Sequence, residues 1–117
     1  MKIMSVNLNG IRAAHRKGFY EWVLGQNADY ICVQETKAQM NAGLKESMLL
    51  SGYEGYFSDA EKKGYSGVGI FTRHKPKQII HTLGMEAADR EGRFIELDFQ
   101  RFRLVSLYLP SGTSGQE

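Results

Sequence analysis

The sequence predicts an α/β domain whose sheet opens with a parallel pair of strands and continues antiparallel. Three observations carry this. A strand–helix–strand pattern occupies the stretch from Ile3 to Gln34, five more short runs rich in β-branched and aromatic residues follow without a long helix between them, and few amphipathic segments remain to cover a sheet.

Ile3 to Val6 is an apolar run closed by Asn7-Leu-Asn-Gly10, so a first strand should end there in a loop. Phe19, Trp22 and Val23 recur at helical spacing, which places all three on the buried face of a helix that Gly25 or Asn27 can end. Tyr30-Ile-Cys-Val-Gln34 reads as a strand buried on both faces. A right-handed crossover makes the two strands parallel, so Asn7 and Glu35 should emerge at the same edge, where open α/β sheets collect ligands. A polar stretch from Ala38 to Gly52 contains a short helix with Leu44, Met48 and Leu49. Strands are then expected at 53–58, 67–72, 78–83, 94–99 and 102–109, continuing the same sheet to about seven strands. Ile95, Leu97 and Phe99 alternate with Glu96 and Asp98, giving that strand one buried and one wetter face.

The chain has 117 residues, enough for one small domain. Its 15 Lys and Arg against 13 Asp and Glu leave a net charge of +2, which neither requires nor excludes a nucleic-acid partner, because phosphate binding depends on local clusters. Cys32 is the single cysteine and lies in an apolar run, so no intramolecular disulfide forms and a small buried hydrophobe is expected. No stretch approaches the roughly 20 apolar residues that span a bilayer, and no secretory leader opens the sequence. A cytoplasmic protein with no membrane partner is the expectation.

Glu35 ends a buried strand and is followed by Thr36 and Lys37. It can be a solvated strand end, or it can hold a metal ion: Mg²⁺ takes oxygen ligands and is often bound by only one or two carboxylates plus substrate phosphate. Asn7 and Asn9 fit either an amide contribution to such a site or ordinary turn formation. Glu61-Lys-Lys-Gly-Tyr-Ser-Gly-Val-Gly69 joins two lysines, an aromatic ring and three glycines, suited to a phosphate backbone or to a hairpin loop. The arginines of Asp89-Arg-Glu-Gly-Arg93 can clamp phosphates or sit in a charged turn. Tyr108, in Leu107-Tyr-Leu-Pro110, brings a phenol to the end of the last strand. The three histidines have no metal-ligand spacing, which makes a zinc site improbable.

Taken together, Asn7-Leu-Asn-Gly-Ile-Arg-Ala13, Gln34-Glu-Thr-Lys37, Gly64-Tyr-Ser-Gly-Val-Gly69, Arg90-Glu-Gly-Arg93 and Tyr108-Leu-Pro110 resemble the exonuclease III family of abasic-site (AP) endonucleases, in the superfamily of metal-dependent endonucleases, exonucleases and phosphatases. The resemblance implies half of a four-layer α/β sandwich, with residues 1–117 the amino-terminal part of a single, incomplete domain. It implies DNA repair chemistry: metal-dependent hydrolysis of the phosphodiester 5′ to an abasic site in double-stranded DNA, alongside 3′–5′ exonuclease or 3′ phosphatase activity. Glu35 would be the carboxylate ligand of Mg²⁺ or Mn²⁺, with Asn7 on the metal side. Tyr108 and Asn9 would be catalytic, Tyr108 at the scissile phosphate. Arg12, Lys37, Tyr65 and Arg93 would face the DNA.

Family members run to roughly twice this length, and their second half supplies an Asp-x-Asn element and a closing Ser-Asp-His. Neither occurs here. The isolated chain is therefore expected to be inactive, with the missing carboxyl-terminal half or another copy of itself as partner. The alternatives are a phosphoesterase of the same superfamily acting on a non-DNA substrate, and a non-catalytic DNA-binding or self-associating half-domain.

Overall fold

The computed structural model describes residues 1–42 and 48–109. β1 (Ile3–Asn7) and β2 (Tyr30–Gln34) are parallel, with Asn7 opposite Gln34, as the crossover requires. The crossover itself holds two short helices, α1 (Ile11–Arg16) and α2 (Phe19–Leu24), where one was expected. Gly18, at φ 90°, breaks the helix between them. Ile11, Tyr20 and Val23 are the buried positions, and Trp22, expected in the core, is 52% exposed.

β3 (Glu54–Ser58) and β4 (Val68–Thr72) extend this sheet antiparallel, in the order β1-β2-β4-β3. The continuation expected beyond it is corrected: β5 (Gln78–Ile80), β6 (Phe94–Asp98) and β7 (Arg103–Leu107) form a separate antiparallel sheet, ordered β5-β6-β7. The seven strands among the described residues are thus divided between two sheets, and a short helix, α3 (Glu86–Arg90), precedes the Arg90–Arg93 turn. The helix expected around Leu44, Met48 and Leu49 falls largely on residues 43–47, outside the described residues. Of its flank, Leu50 is buried and Leu49 is 55% exposed.

The division has a physical cause. β2 and β4 are apolar on both faces, so each face of the first sheet needs a cover. On one face Ile31, Val33 and Phe71 pack with Ile11, Tyr20 and Val23 of the helices. On the other, Cys32, Val68 and Ile70 pack with Ile95 and Leu97 of the second sheet. The helices, the first sheet and the second sheet stack as three layers, the α/β arrangement of part of a four-layer sandwich. Cys32 is the buried hydrophobe expected, and burial pushes its thiol up to about 11.

The second sheet overlies β2 and β4. On β1 the residues sharing that face, Ile3, Ser5 and Asn7, stay exposed. At the end of the sandwich where β2 begins, Tyr30 packs against Phe99 (5.0 Å between ring centroids) and Phe102 (5.5 Å), and His74 lies beside it. There Asp29 accepts the Lys2 backbone N–H at 2.9 Å.

Candidate active site

At the opposite end, the strands finish in loops joined to one another through the backbone. The N–H groups of Gly10 and Ile11 donate to the carbonyls of Glu35 (2.8 Å) and Thr36 (2.9 Å). Those of Thr36 and Lys37 donate to Gly67 (3.1 Å) and Ser66 (2.7 Å), that of Gly67 to Gly92 (3.1 Å), and that of Tyr108 to Arg93 (2.9 Å). Every loop carrying an expected site residue therefore belongs to one lattice that ties the two sheets together. Holding it requires uncommon backbone conformations. Of the six non-glycine residues with positive φ among those described, four lie in this lattice: Asn9 (49°), Glu35 (53°), Lys37 (51°) and Ser66 (48°). Such conformations cost on the order of 1 kcal/mol or more each and gather at sites whose surroundings over-determine them.

The side chains converge accordingly. Tyr108 follows β7, and its hydroxyl donates to Glu35 Oε2 at 3.2 Å. A cleft of about 250 Å³ is lined by Glu35, Lys37, Gly64, Tyr65, Ser66, Arg93 and Tyr108, so five of the eight expected site residues share it. Arg93 is held by Glu91 in an ion pair and places its guanidinium over the Tyr108 ring, 5.7 Å from the centroid. Burial first, then the charge and the hydrogen bond of Glu35, raise the Tyr108 phenol above its usual range, and Arg93 acts in the opposite direction. Tyr65 is 45% exposed at the rim, with the Lys62 ammonium over its ring.

The remaining three expected residues flank the cleft. Asn9 Oδ1 accepts a hydrogen bond from Lys37 Nζ at 2.7 Å, which links it to the cleft from outside. Arg12 lines a neighbouring groove of about 570 Å³ together with Lys37 and Lys63. Asn7 lines an apolar groove with Leu8, Phe19 and Trp22, and its Oδ1 accepts the Asn9 backbone N–H at 3.0 Å in a turn.

Among the described residues no group of three or more His, Cys, Asp and Glu side chains is placed to hold a metal ion. The donors at this edge are the Glu35 carboxylate and amide oxygens. That set fits Mg²⁺, which keeps several waters and needs few protein ligands, and does not fit zinc.

The sequence reading missed the hydroxyls beneath the site. Gln34 Nε2 donates to Ser5 Oγ (3.2 Å) and Ser106 Oγ (3.1 Å), and Ser106 Oγ donates to the Val33 carbonyl at 3.0 Å, bridging the sheets directly below Glu35. The alternation Leu104, Ser106, Tyr108 carries the signal, since it places a serine at an inward position of β7. Thr36 Oγ1 and Ser66 Oγ are buried without partners among the described residues, which nothing in their local sequence marks.

The chain is 40% identical over 116 residues to a DNA-(apurinic or apyrimidinic site) endonuclease of Dictyostelium discoideum, covering 98% of this chain and 32% of that protein. It is 39% identical over 118 residues to an exodeoxyribonuclease of Bacillus subtilis, of which it covers 46%. Among solved structures, an AP endonuclease from Archaeoglobus fulgidus superposes with a TM-score of 0.80 at 28% identity, over 96% of this chain and 42% of that one. The chain thus spans less than half the length of these relatives. The Endonuclease/Exonuclease/phosphatase family matches from residue 4 to residue 114, almost end to end, and it is to this family that the chain belongs.

Proposed function

We propose that this chain carries the metal- and phosphate-binding part of a DNA-repair nuclease that hydrolyses the phosphodiester 5′ to an abasic site, with 3′–5′ exonuclease or 3′ phosphatase activity at DNA ends. The observation behind this is the pairing of Glu35 with Tyr108 in a cleft that also presents Lys37 and Arg93. Glu35, with the Asn7 amide oxygen at the neighbouring strand end, would hold Mg²⁺ or Mn²⁺. The bound ion would polarise a phosphoryl oxygen and neutralise charge on the leaving oxygen.

The chain's own groups supply the rest of the binding. Lys37 and Arg93 meet phosphate charge, the Arg93 fork in two hydrogen bonds at once. The Tyr108 hydroxyl, which donates to Glu35 in this structure, can turn that proton toward a phosphate oxygen. Tyr65 packs against the sugar face exposed by a missing base, where little unpairing energy is needed. Asn9, held by Lys37, fixes the lysine's position. Arg12 extends the phosphate track along the duplex.

Among the described residues Glu35 is the only carboxylate lining the cleft. A carboxylate committed to a cation is not free to accept a proton from water, so the chain by itself binds without hydrolysing. The polypeptide that completes the site, a carboxyl-terminal half or a second copy, would meet the uncovered face of β1, where Ile3 is 46% exposed, and the outer face of β7, where Val105 and Leu107 are 40% and 42% exposed.

Calorimetric titration of Mn²⁺ followed by abasic duplex tests the reading. Glu35→Gln should weaken Mn²⁺ binding by about tenfold or more, and abasic duplex should bind more tightly than a soluble phosphate ester. Undiminished Mn²⁺ affinity in that variant would remove the metal assignment, and equal affinity for the ester would redirect the substrate to a non-DNA phosphate. A Mg²⁺-dependent nick made by this chain alone and abolished by Glu35→Ala would overturn the binding-only role.

A further inference from the structure

The lattice around Glu35 has one position where a side chain would strike another side chain of the lattice itself. A Cβ added to Gly67 would lie 2.2 Å from Thr36 Oγ1 and at ordinary contact distance, 3.5 Å, from Thr36 Cβ. Thr36 is 1% exposed and β-branched, so it has few rotamers with which to yield. Its hydroxyl has no hydrogen-bond partner among the described residues, where packing holds the space it fills. The same glycine accepts the Thr36 N–H through its carbonyl and donates its own N–H to Gly92, joining the Glu35 loop to the loop that leads to Arg93.

The other crowded glycine of the lattice differs. A Cβ on Gly92 would meet the backbone of Ser58, Asp59 and Ala60 at 2.6 to 2.7 Å, a clash that no side-chain change elsewhere can relieve. At Gly67 the obstacle is a single hydroxyl, one residue after Glu35. Resting on the assignment of Glu35 as the cation's carboxylate, we propose that Gly67 is a positioning residue: its missing side chain lets Thr36 close against the loop of residues 64–67, and this closure aims Glu35 at Tyr108.

A compensating pair of substitutions tests this. Gly67→Ala should push Thr36 outward, accelerating hydrogen exchange at the Thr36 and Lys37 amides by about tenfold or more over the rest of the chain. It should also weaken Mn²⁺ binding by about 10- to 100-fold, the range expected when a group supporting a ligand is disturbed. Adding Thr36→Ala removes the obstructing oxygen and should restore most of both. Gly52→Ala supplies the control for backbone strain, because Gly52 has a similar φ of +84° but open space around it, and it should change neither readout.

Failure of Thr36→Ala to restore the amides, or a Gly52→Ala variant that behaves like Gly67→Ala, would overturn the proposal. Should Gly67→Ala not fold, the double variant decides: folded with protected amides supports the proposal, unfolded overturns it. Should Glu35→Gln leave Mn²⁺ binding intact, the metal assignment fails, and amide exchange still judges Gly67 on its own.

Discussion

The two ends of the sandwich are built from opposite materials. Where β2 begins, Tyr30, Phe99 and Phe102 close the layers with ring-to-ring packing, and the left-handed Gln100 there sits in the tight turn between β6 and β7, an ordinary use of that conformation. Where β2 ends, apolar packing gives way to backbone hydrogen bonds between loops, three left-handed residues that are neither glycine nor asparagine, and two buried hydroxyls without partners among the described residues. The first end stabilises the fold mainly by ring packing, with Gln100 the left-handed residue of its turn. The second draws on that stability to hold Glu35, Lys37 and Ser66 in conformations they would not adopt alone.

If this division is right, substitutions at the two ends should separate stability from binding. Tyr30→Ala should have the largest effect on stability, about 3 to 5 kcal/mol by denaturant unfolding, because it removes a buried ring from the aromatic end. Mn²⁺ affinity of the molecules that remain folded should not change, and a parallel loss would show that the ends are coupled. Ser106→Ala should cost less, about 1 to 3 kcal/mol, by removing the hydroxyl that accepts from the Gln34 amide and donates to the Val33 carbonyl, while Gln34 keeps its bond to Ser5. Its effect should be concentrated in faster hydrogen exchange at the Glu35 end.

Tyr108→Phe should cost about 0.5 to 1.5 kcal/mol or less, since the bond to Glu35 is only partly buried, and its clearer signature is in pH. The folded-state phenol titrates above its unfolded value, so its contribution is fully present below about pH 10 and is lost as the pH rises through the folded value. Absorbance titration of the tyrosinates should lose one of its raised components in Tyr108→Phe, and Glu35→Gln should lower that component in the parent chain.

The smallest effect is expected at Asp29. Its carboxyl titrates below its ordinary value, chiefly because of the Lys2 N–H, with His74 adding to the effect. That contribution is present above about pH 4 and lost as the pH falls through the folded value. Asp29→Asn should slightly flatten the acid limb of an unfolding curve followed by circular dichroism.

What the sequence disclosed follows the same division. β1, β2 and their parallel pairing were readable because apolar runs and a crossover length are local signals, whereas the meeting of Tyr108 with Glu35 was expected only through the family resemblance. The split into two sheets was not, because it depends on which faces of β2 and β4 remain uncovered once the helices have docked. Trp22 was misplaced because the Phe19, Trp22 and Val23 spacing does not fix which edge of the apolar stripe faces inward: α2 turns Tyr20 and Val23 to the core and leaves Trp22 at the margin. Thr36 and Ser66 give no local sign of being unpartnered, because their environment comes from loops far away in sequence.

The backbone lattice also limits how this chain can change in length. The N–H groups of Thr36, Lys37, Gly67 and Tyr108 are each matched to a particular carbonyl in another loop, so one residue inserted between Gly64 and Val68 would move Ser66 and Gly67 off the Lys37 and Thr36 amides together. The turn between β6 and β7 makes no such cross-connections among the described backbone hydrogen bonds, so its tip between Gln100 and Arg101 can lengthen at little cost while Phe99 and Phe102 keep their places against Tyr30. Insertions and deletions should therefore be tolerated at the aromatic end and excluded at the other, a constraint on loop length that applies whatever side chains the loops carry.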